Sequence, residues 1–341
     1  MATITNPGSC ESECKEIHES LENLTHLAPA LAIKTQIEKR QIREKYMEMY
    51  GEDLISCLQK RTTQLAKSGG DGLGVSSGAA GAALALWMLD PIERDAVVAR
   101  EALDQKSETN YRAVVEMFAG RKSSHVVRIK QVYQAKFGRV IDQDVLCIEP
   151  PHDPYKKILV ALVASHKAHH ADLSQHIAKC DARRLYQTGE GRSGAIDEAV
   201  VIELLSKRSI PQLNLTFSTY KHIYGHDYTK SLKKENYGEF EDALDVVVKC
   251  ISNPPKYYAQ TLYGSIKGIT KDKGGLARVM VSRAEIDMDE IQRVYKNKYG
   301  TDLIEAICES IPSGHYRDFL VALARKTSST ASSFSSLSTS S

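Results

Sequence analysis

The sequence predicts an all-α protein built from four copies of one helical module. In four segments of the 341-residue chain, a tyrosine is followed four residues later by Tyr or Phe, and then at once by Gly. These tyrosines are Tyr46, Tyr133, Tyr220 and Tyr295, and their separations are 87, 87 and 75 residues. No segment alternates apolar and polar residues over a length that favours a sheet. Repetition at this spacing is typical of a fold assembled from equivalent units.

Each copy of the motif has the pattern of an amphipathic helix and its end. Ile291, Val294, Tyr295 and Tyr299 are spaced so that they line one face of a helix with 3.6 residues per turn. Twelve residues before the four tyrosines stand the basic residues Lys34, Arg121, Arg208 and Arg283. The glycines that close the motif suit the left-handed position after a helix: Gly51, Gly138, Gly225 and Gly300.

The repeats suggest a division of the whole chain. We expect an N-terminal segment at 1–15, four repeats at 16–104, 105–180, 181–254 and 255–326, and a tail at 327–341. The first repeat carries a Gly/Ser/Ala-rich stretch at 67–83, which is expected to be a flexible insertion. No Lys-Ser/Thr pair follows its glycines, so it is not a phosphate-binding loop. The tail has twelve Ser or Thr among fifteen residues and is expected to be disordered.

Composition limits the classes of function. The 45 basic and 43 acidic side chains nearly cancel, which argues against nucleic-acid binding through bulk charge. The longest apolar run, at 82–89, is far shorter than the ~20 residues that span a bilayer, and the first residues lack the apolar core of a signal peptide. Seven scattered cysteines without a CxxC pair fit a reduced setting. We therefore expect a cytoplasmic protein whose membrane role, if it has one, is peripheral.

The repeated motif resembles the annexin family, and most closely its plant members. The resemblance is carried by four in-phase copies of Tyr-x3-Tyr/Phe-Gly, by "LWMLDPIERDA" at 86–96, and by "VSRAEIDMDEIQRVYKNKYGTDL" at 281–303. It implies a curved disc of four repeats, each with about five helices. It also implies docking on anionic phospholipid membranes through calcium. We do not expect this chain to be an enzyme.

The resemblance also indicates where calcium would bind. In the family, carbonyls of a Gly-x-Gly-Thr loop and a carboxylate about forty residues later hold the ion, which prefers six to eight oxygen ligands. In the fourth repeat the expected ligands are Ile266, Gly268 and Thr270 in the loop, with Glu309 as the carboxylate. In the third repeat the carboxylate is Glu235. One loop glycine has become Thr270, so the site is expected to be weak.

The same loop carries lysines that could contact lipid directly. Lys267, Lys271 and Lys273 are expected to meet anionic headgroups, at about 1 kcal/mol each at most. A solubilising rim is the simpler interpretation of these three side chains. In the first repeat Glu19 and Leu21 replace the loop glycines and Arg61 replaces the acid, which is expected to abolish that site. In the second, Ile148 stands at the acid position beside Glu149.

Other chemistry has less support in the sequence. The family's haem-linked histidine position falls on Ile33, and of two cysteines often noted in plant members only Cys250 is present, because Ala119 stands at the other position. His166 and His170, four residues apart, could hold zinc on one helix face, although exposed histidines in a polar linker explain them as well. The alternative to calcium-dependent lipid binding is a calcium-independent scaffold for protein partners.

Overall fold

The protein is helical throughout the described chain. The computed structural model describes residues 7–21, 24–60, 72–104, 110–148, 154–164, 173–193, 195–233, 238–268 and 273–335. Within these ranges every regular element is a helix and none is a strand. The predicted all-α class is therefore confirmed.

The described helices fall into four groups of five in chain order. The first group is α1–α5, at Pro7–Ser20, Leu24–Ala32, Gln36–Tyr50, 54–60 and Gly72–Met88. The second is α6–α10, at Pro91–Leu103, Tyr111–Ala119, Ser123–Phe137, Ile141–Leu146 and Pro154–Val163. The third is α11–α15, at Gln175–Gln187, Glu198–Lys207, Ile210–Tyr224, Tyr228–Ser231 and Glu239–Ser252. The fourth is α16–α20, at Pro254–Lys267, Lys273–Arg283, Met288–Tyr299, Leu303–Ser310 and His315–Ser335.

The third helix of every group ends in the same way. The glycines after α3, α8, α13 and α18 have positive φ angles of 69°, 64°, 79° and 75°. Each glycine N–H donates a hydrogen bond of 2.8–2.9 Å to the carbonyl four residues earlier. A side chain is strained in this left-handed conformation, which is why glycine occupies it. The predicted helix ends at Gly51, Gly138, Gly225 and Gly300 are confirmed.

The motif tyrosines are among the most buried side chains in the described chain. All four are at most 1% exposed, and burying one apolar side chain of this size stabilises by about 1.5–3 kcal/mol. Three of the hydroxyls reach a polar partner: Tyr46 pairs with His18 Nδ1 at 2.7 Å, Tyr133 donates to Asp144 at 2.5 Å, and Tyr220 donates to Glu190 at 2.9 Å. These bonds satisfy polar atoms that would be costly to bury alone.

The basic residues of the motif hold the helices of a group together. In the first three groups the basic residue pairs with an acid on the group's own first helix: Lys34 with Glu13, Arg121 with Asp95 at 2.8 Å, and Arg208 with Asp181 at 2.7 Å. In the fourth group Arg283 instead pairs with Asp287 four residues on, and its guanidinium lies 4.5 Å from the centre of the Tyr258 ring. In the fourth group the basic residue thus contacts the first helix through a cation–π contact in place of an ion pair.

The chain separates into two compact units. One unit comprises Met1–Pro91 and Tyr258–Ser341, and the other comprises Ile92–Tyr257. In the first unit α20 packs against α2 and α5, and α5 also packs against α17. In the second unit α15 packs against α7 and α10.

Three features differ from the sequence-based expectations. The limits expected at 16, 105 and 181 fall after the start of the helix that opens the group, because the motif marks the third helix and not the first. The stretch at 67–83, expected to be flexible, is helical from Gly72, and Ala80 and Ala83 are buried. Alanine favours helices, and its small side chain allows neighbouring helices to approach closely. The last helix runs to Ser335, beyond the start of the tail that was expected to be disordered.

Candidate functional site

The loop of the fourth group begins at a glycine that the backbone requires. Gly268 follows α16, and its N–H donates to the Gly264 carbonyl at 2.8 Å. A Cβ on Gly268 would lie 2.2 Å from that same carbonyl oxygen, so no larger residue fits without a shift. The side chain of Ile266 is buried and has no ligand atom, so only its main-chain carbonyl could bind a cation.

Glu309 lies near the end of α19 and reaches this loop through a lysine. The Nζ atom of Lys267 lies 3.1 Å from Glu309 Oε2, and the two side chains are 37% and 61% exposed. The structure thus brings together two expected site residues that are 42 positions apart in sequence. It also pairs the carboxylate expected to bind calcium with a lysine expected to contact lipid. This ion pair is not apparent from the sequence.

Several expected ligands cannot be placed. Thr270, Lys271 and Glu235 lie outside the described residues, as does Arg61. Lys273 is placed as the first residue of α17, without a described side chain. The fourth group therefore carries the part of the site whose geometry is defined, namely Ile266, Lys267, Gly268 and Glu309.

The described part of the site fits calcium poorly. Calcium takes six to eight oxygen ligands, mostly from carboxylates and carbonyls. Among the described residues no group of three or more His, Cys, Asp or Glu side chains is placed to hold a metal ion. Glu309 is the expected carboxylate here, and the Lys267 ammonium must leave it before a cation can bind.

An aromatic cluster lies beneath the Glu309 end of the site. The rings of Tyr263 and Tyr299 stack at 3.9 Å, and Tyr295 packs against both. Burial, together with the neighbouring tyrosines and Glu309, raises the pKa of Tyr295 to about 12. The Tyr295 hydroxyl is therefore protonated at neutral pH. The rings of this cluster pack α16 against α18.

The equivalent positions in the first and second groups are poorly suited to calcium. Leu21, at a loop glycine position, is only 5% exposed and belongs to the core, whereas Glu19 is exposed. Ile148, at the acid position of the second group, is buried, and Glu149 lies outside the described residues. Leu21 and Ile148 therefore stabilise the packing of their groups at positions where the family pattern has calcium ligands.

In the third group the acids near the loop already have partners. Asp197 caps α12, and its carboxylate accepts from the Ala199 N–H at 3.1 Å. Glu190 accepts from the Tyr220 hydroxyl at 2.9 Å and lies 2.8 Å from His226 Nε2. Sequence reasoning overlooked Glu190, although it stands between Gly189 and Gly191 just after α11, where an acid in a loop was a usable signal.

The residues considered for other chemistry have ordinary surroundings. Ile33 is 62% exposed and offers no ligand atom for haem, and Cys250 and Ala119 are both buried. Burial raises the pKa of the Cys14 thiol to about 12, which makes it unreactive at neutral pH. His166 and His170 lie outside the described residues.

Comparison with known proteins identifies the family. The annexin family model matches residues 180–247 and 257–323. Annexin A4 of Mus musculus is 34% identical over 293 residues, which cover 86% of this chain and 86% of that protein. The chain belongs to the annexin family. Annexin D2 of Arabidopsis thaliana is 29% identical over 331 residues, covering 95% of this chain and 98% of its own.

The fold agrees with solved annexin structures. The structure of annexin III matches with a TM-score of 0.79 and 28% identity, over 95% of each chain. Annexins characteristically bind phospholipid in a calcium-dependent way and in general act as membrane-binding proteins rather than enzymes. Within the part of the chain that the structure describes, no helix combines the length and apolar character needed to cross a bilayer.

Proposed function

We propose that this annexin docks peripherally on anionic phospholipid from the cytoplasm, and that its calcium sites are weakened. The proposal rests on the ion pair between Lys267 and Glu309, in which Nζ lies 3.1 Å from Oε2. Calcium can bind the Glu309 carboxylate only by displacing Lys267. The free energy of calcium binding is therefore less favourable by the free energy of the Lys267–Glu309 ion pair. The fourth group is the one we expect to retain calcium-dependent binding.

The lysine that calcium displaces has a second role in this proposal. Once released from Glu309, Lys267 is free to meet a lipid phosphate beside the ion. Lys271 and Lys273 follow it in the sequence and add positive charge to the same loop. Each lysine near an anionic surface contributes about 1 kcal/mol at most, and salt screens this attraction. Binding is therefore expected to have a weak, salt-sensitive part that survives a chelator.

Sedimentation with phosphatidylserine vesicles across a calcium series tests the calcium part. We expect Glu309→Gln to require more calcium than the wild type for half-maximal binding, because it removes the charged ligand. Glu290→Gln is the matched control, since Glu290 is an exposed acid on α18 in the same unit. Equal calcium requirements for Glu309→Gln and the wild type would show that this loop does not hold the ion.

The same assay in chelator tests the lysines. Replacing Lys267, Lys271 and Lys273 by Gln should reduce binding at low salt. In Glu309→Gln, by contrast, Lys267 has lost its partner, and chelator-resistant binding should increase. If the wild type binds in chelator and the triple variant binds equally well, the lysines form only a solubilising rim.

The alternative is a calcium-independent scaffold that keeps the annexin fold for contacts with proteins. The apolar cores at Leu21 and Ile148 favour it, because they replace calcium positions with packing. The vesicle assay separates the two functions. A scaffold would sediment with phosphatidylserine vesicles to the same low extent with and without calcium.

A further inference from the structure

Two metal-binding side chains lie side by side on the surface at the start of α11. His176 and Cys180 are four residues apart on this helix, and both are exposed. The Cys180 sulfur lies 3.7 Å from His176 Nε2. Side chains at i and i+4 share a helix face, so the helix itself sets their separation.

This separation is the one that a tetrahedral zinc ion requires. Zinc binds sulfur at about 2.3 Å and imidazole nitrogen at about 2.0–2.1 Å, which places two tetrahedral ligands about 3.5–3.6 Å apart. A small side-chain adjustment is therefore enough for both atoms to bind one ion. The helix backbone does not need to move, and the pair is prearranged as two ligands.

The surroundings favour zinc over calcium or magnesium. Asp181, the one acidic residue of α11, is buried and bound by Arg208. Hard cations that depend on oxygen ligands therefore find no free carboxylate on this helix. Lys179 and Arg183 are exposed nearby and repel a cation that is not held by strong ligands. A thiolate and an imidazole are such ligands for zinc.

We propose that His176 and Cys180 form half of a zinc site, and that two copies of the chain share one ion. Structural zinc sites have four protein ligands, and the described residues place no third His, Cys, Asp or Glu with this pair. A second copy supplies the missing sulfur and nitrogen and completes a Cys2His2 site. Leu173, 56% exposed just before α11, is an apolar side chain that the second copy would cover.

Zinc binding at the proposed site releases protons and changes no oxidation state. Each Cys180 thiol gives its proton to solvent as its sulfur bonds to zinc, so two protons are released per ion, and no oxidant or reductant is needed. The proposal is independent of phospholipid binding, because it concerns residues outside the calcium loops.

The test uses the full chain under reducing conditions. Light scattering with added zinc should show a dimer at one ion per two chains, and a chelator should return it to the monomer. Cobalt(II) serves as a spectroscopic probe, because a cysteine ligand gives a charge-transfer band and tetrahedral geometry gives intense visible bands. A protein that binds zinc at this site and remains monomeric would overturn the shared site.

Variants at exposed positions make the test specific. Cys180→Ser should lose the charge-transfer band and the zinc-dependent dimer, and His176→Gln should weaken metal binding on the order of tenfold or more. Cys147→Ser and His222→Gln are the controls, since both residues are exposed and lie away from α11 in sequence. If Cys180→Ser keeps the band, or a control variant loses it, another cysteine holds the metal and the proposal is wrong.

Discussion

Replacing Lys267 by Gln should make membrane binding more sensitive to calcium. The substitution removes the ammonium that lies 3.1 Å from Glu309 and leaves a neutral side chain of similar length. Calcium then no longer competes with a cation for the carboxylate. The direction is unusual, because removing a positive charge normally weakens binding to an anionic membrane.

The structure also gives the size of the effect. Two unit charges at this separation attract by about 1.3 kcal/mol in water. The two side chains are 37% and 61% exposed, and exposed pairs contribute a net 0–1 kcal/mol after desolvation and entropy costs. Calcium therefore recovers up to about 1 kcal/mol in the variant, less whatever is lost because Lys267 no longer meets a lipid phosphate. The calcium concentration for half-maximal vesicle binding should fall by at most about fivefold.

The assay is a calcium series with phosphatidylserine vesicles at fixed ionic strength. Lys256→Gln is the control, because it makes the same charge change on the same helix, about 16 Å away along its axis. It should leave the calcium requirement unchanged or raise it slightly. If Lys267→Gln raises the calcium requirement as well, the lysine acts only on lipid, and the proposed competition does not exist.

Other consequences of the structure can be measured without membranes. Gly225→Ala should lower the free energy of unfolding in urea by about 1–2 kcal/mol, because φ is 79° there. Gly264→Ala, whose added Cβ would meet open space on α16, should raise the free energy of unfolding by about 0.4–1 kcal/mol. Equal effects of the two substitutions would contradict the left-handed conformation of Gly225. Burial alone would raise the pKa of Asp144, but hydrogen bonds from Arg139 and Tyr133 outweigh it and lower the pKa below its usual range. The charged Asp144 carboxylate therefore stabilises the fold above about pH 4, and this stabilisation decreases as the pH falls further. The stability lost in Asp144→Asn should accordingly become smaller below about pH 4. A loss that does not change with pH would show that the Asp144 carboxylate does not link stability to pH. Calcium at a concentration equal to its dissociation constant should add only about 0.4 kcal/mol to the unfolding free energy of lipid-free protein, and a melting shift of many degrees at micromolar calcium would show that the sites are strong.

The repeated elements could be predicted from sequence because their signals are local. A helix face and a left-handed glycine are both defined within about ten residues, so Tyr220 and Gly225 identify α13 and its end. The first helix of each group carries no comparable motif. The start of that helix is therefore not marked in the sequence.

The site was harder to predict because its geometry depends on packing between distant segments. Glu309 and Gly268 could be matched to a family pattern, but the pattern does not say what else reaches the carboxylate. The position of Lys267 beside the loop in sequence suggests contact with lipid, and only the fold shows that it hydrogen-bonds to Glu309. The stretch at 67–83 is a similar case. Its glycines and serines suggest a flexible loop, whereas the structure has a helix from Gly72 in which Ala80 and Ala83 are buried.

The division of the chain into two units has a consequence for its synthesis. The unit at Ile92–Tyr257 is continuous and can fold as soon as it leaves the ribosome, whereas the other unit needs the first 91 residues and everything from Tyr258 onward. At 5–20 residues per second, α2 and α5 wait on the order of 10–60 s for α20, their packing partner. During that interval their apolar surfaces are open to chaperones and to aggregation. A circular permutant that opens the chain near residue 91 and joins the original termini would make this unit continuous and remove the delay.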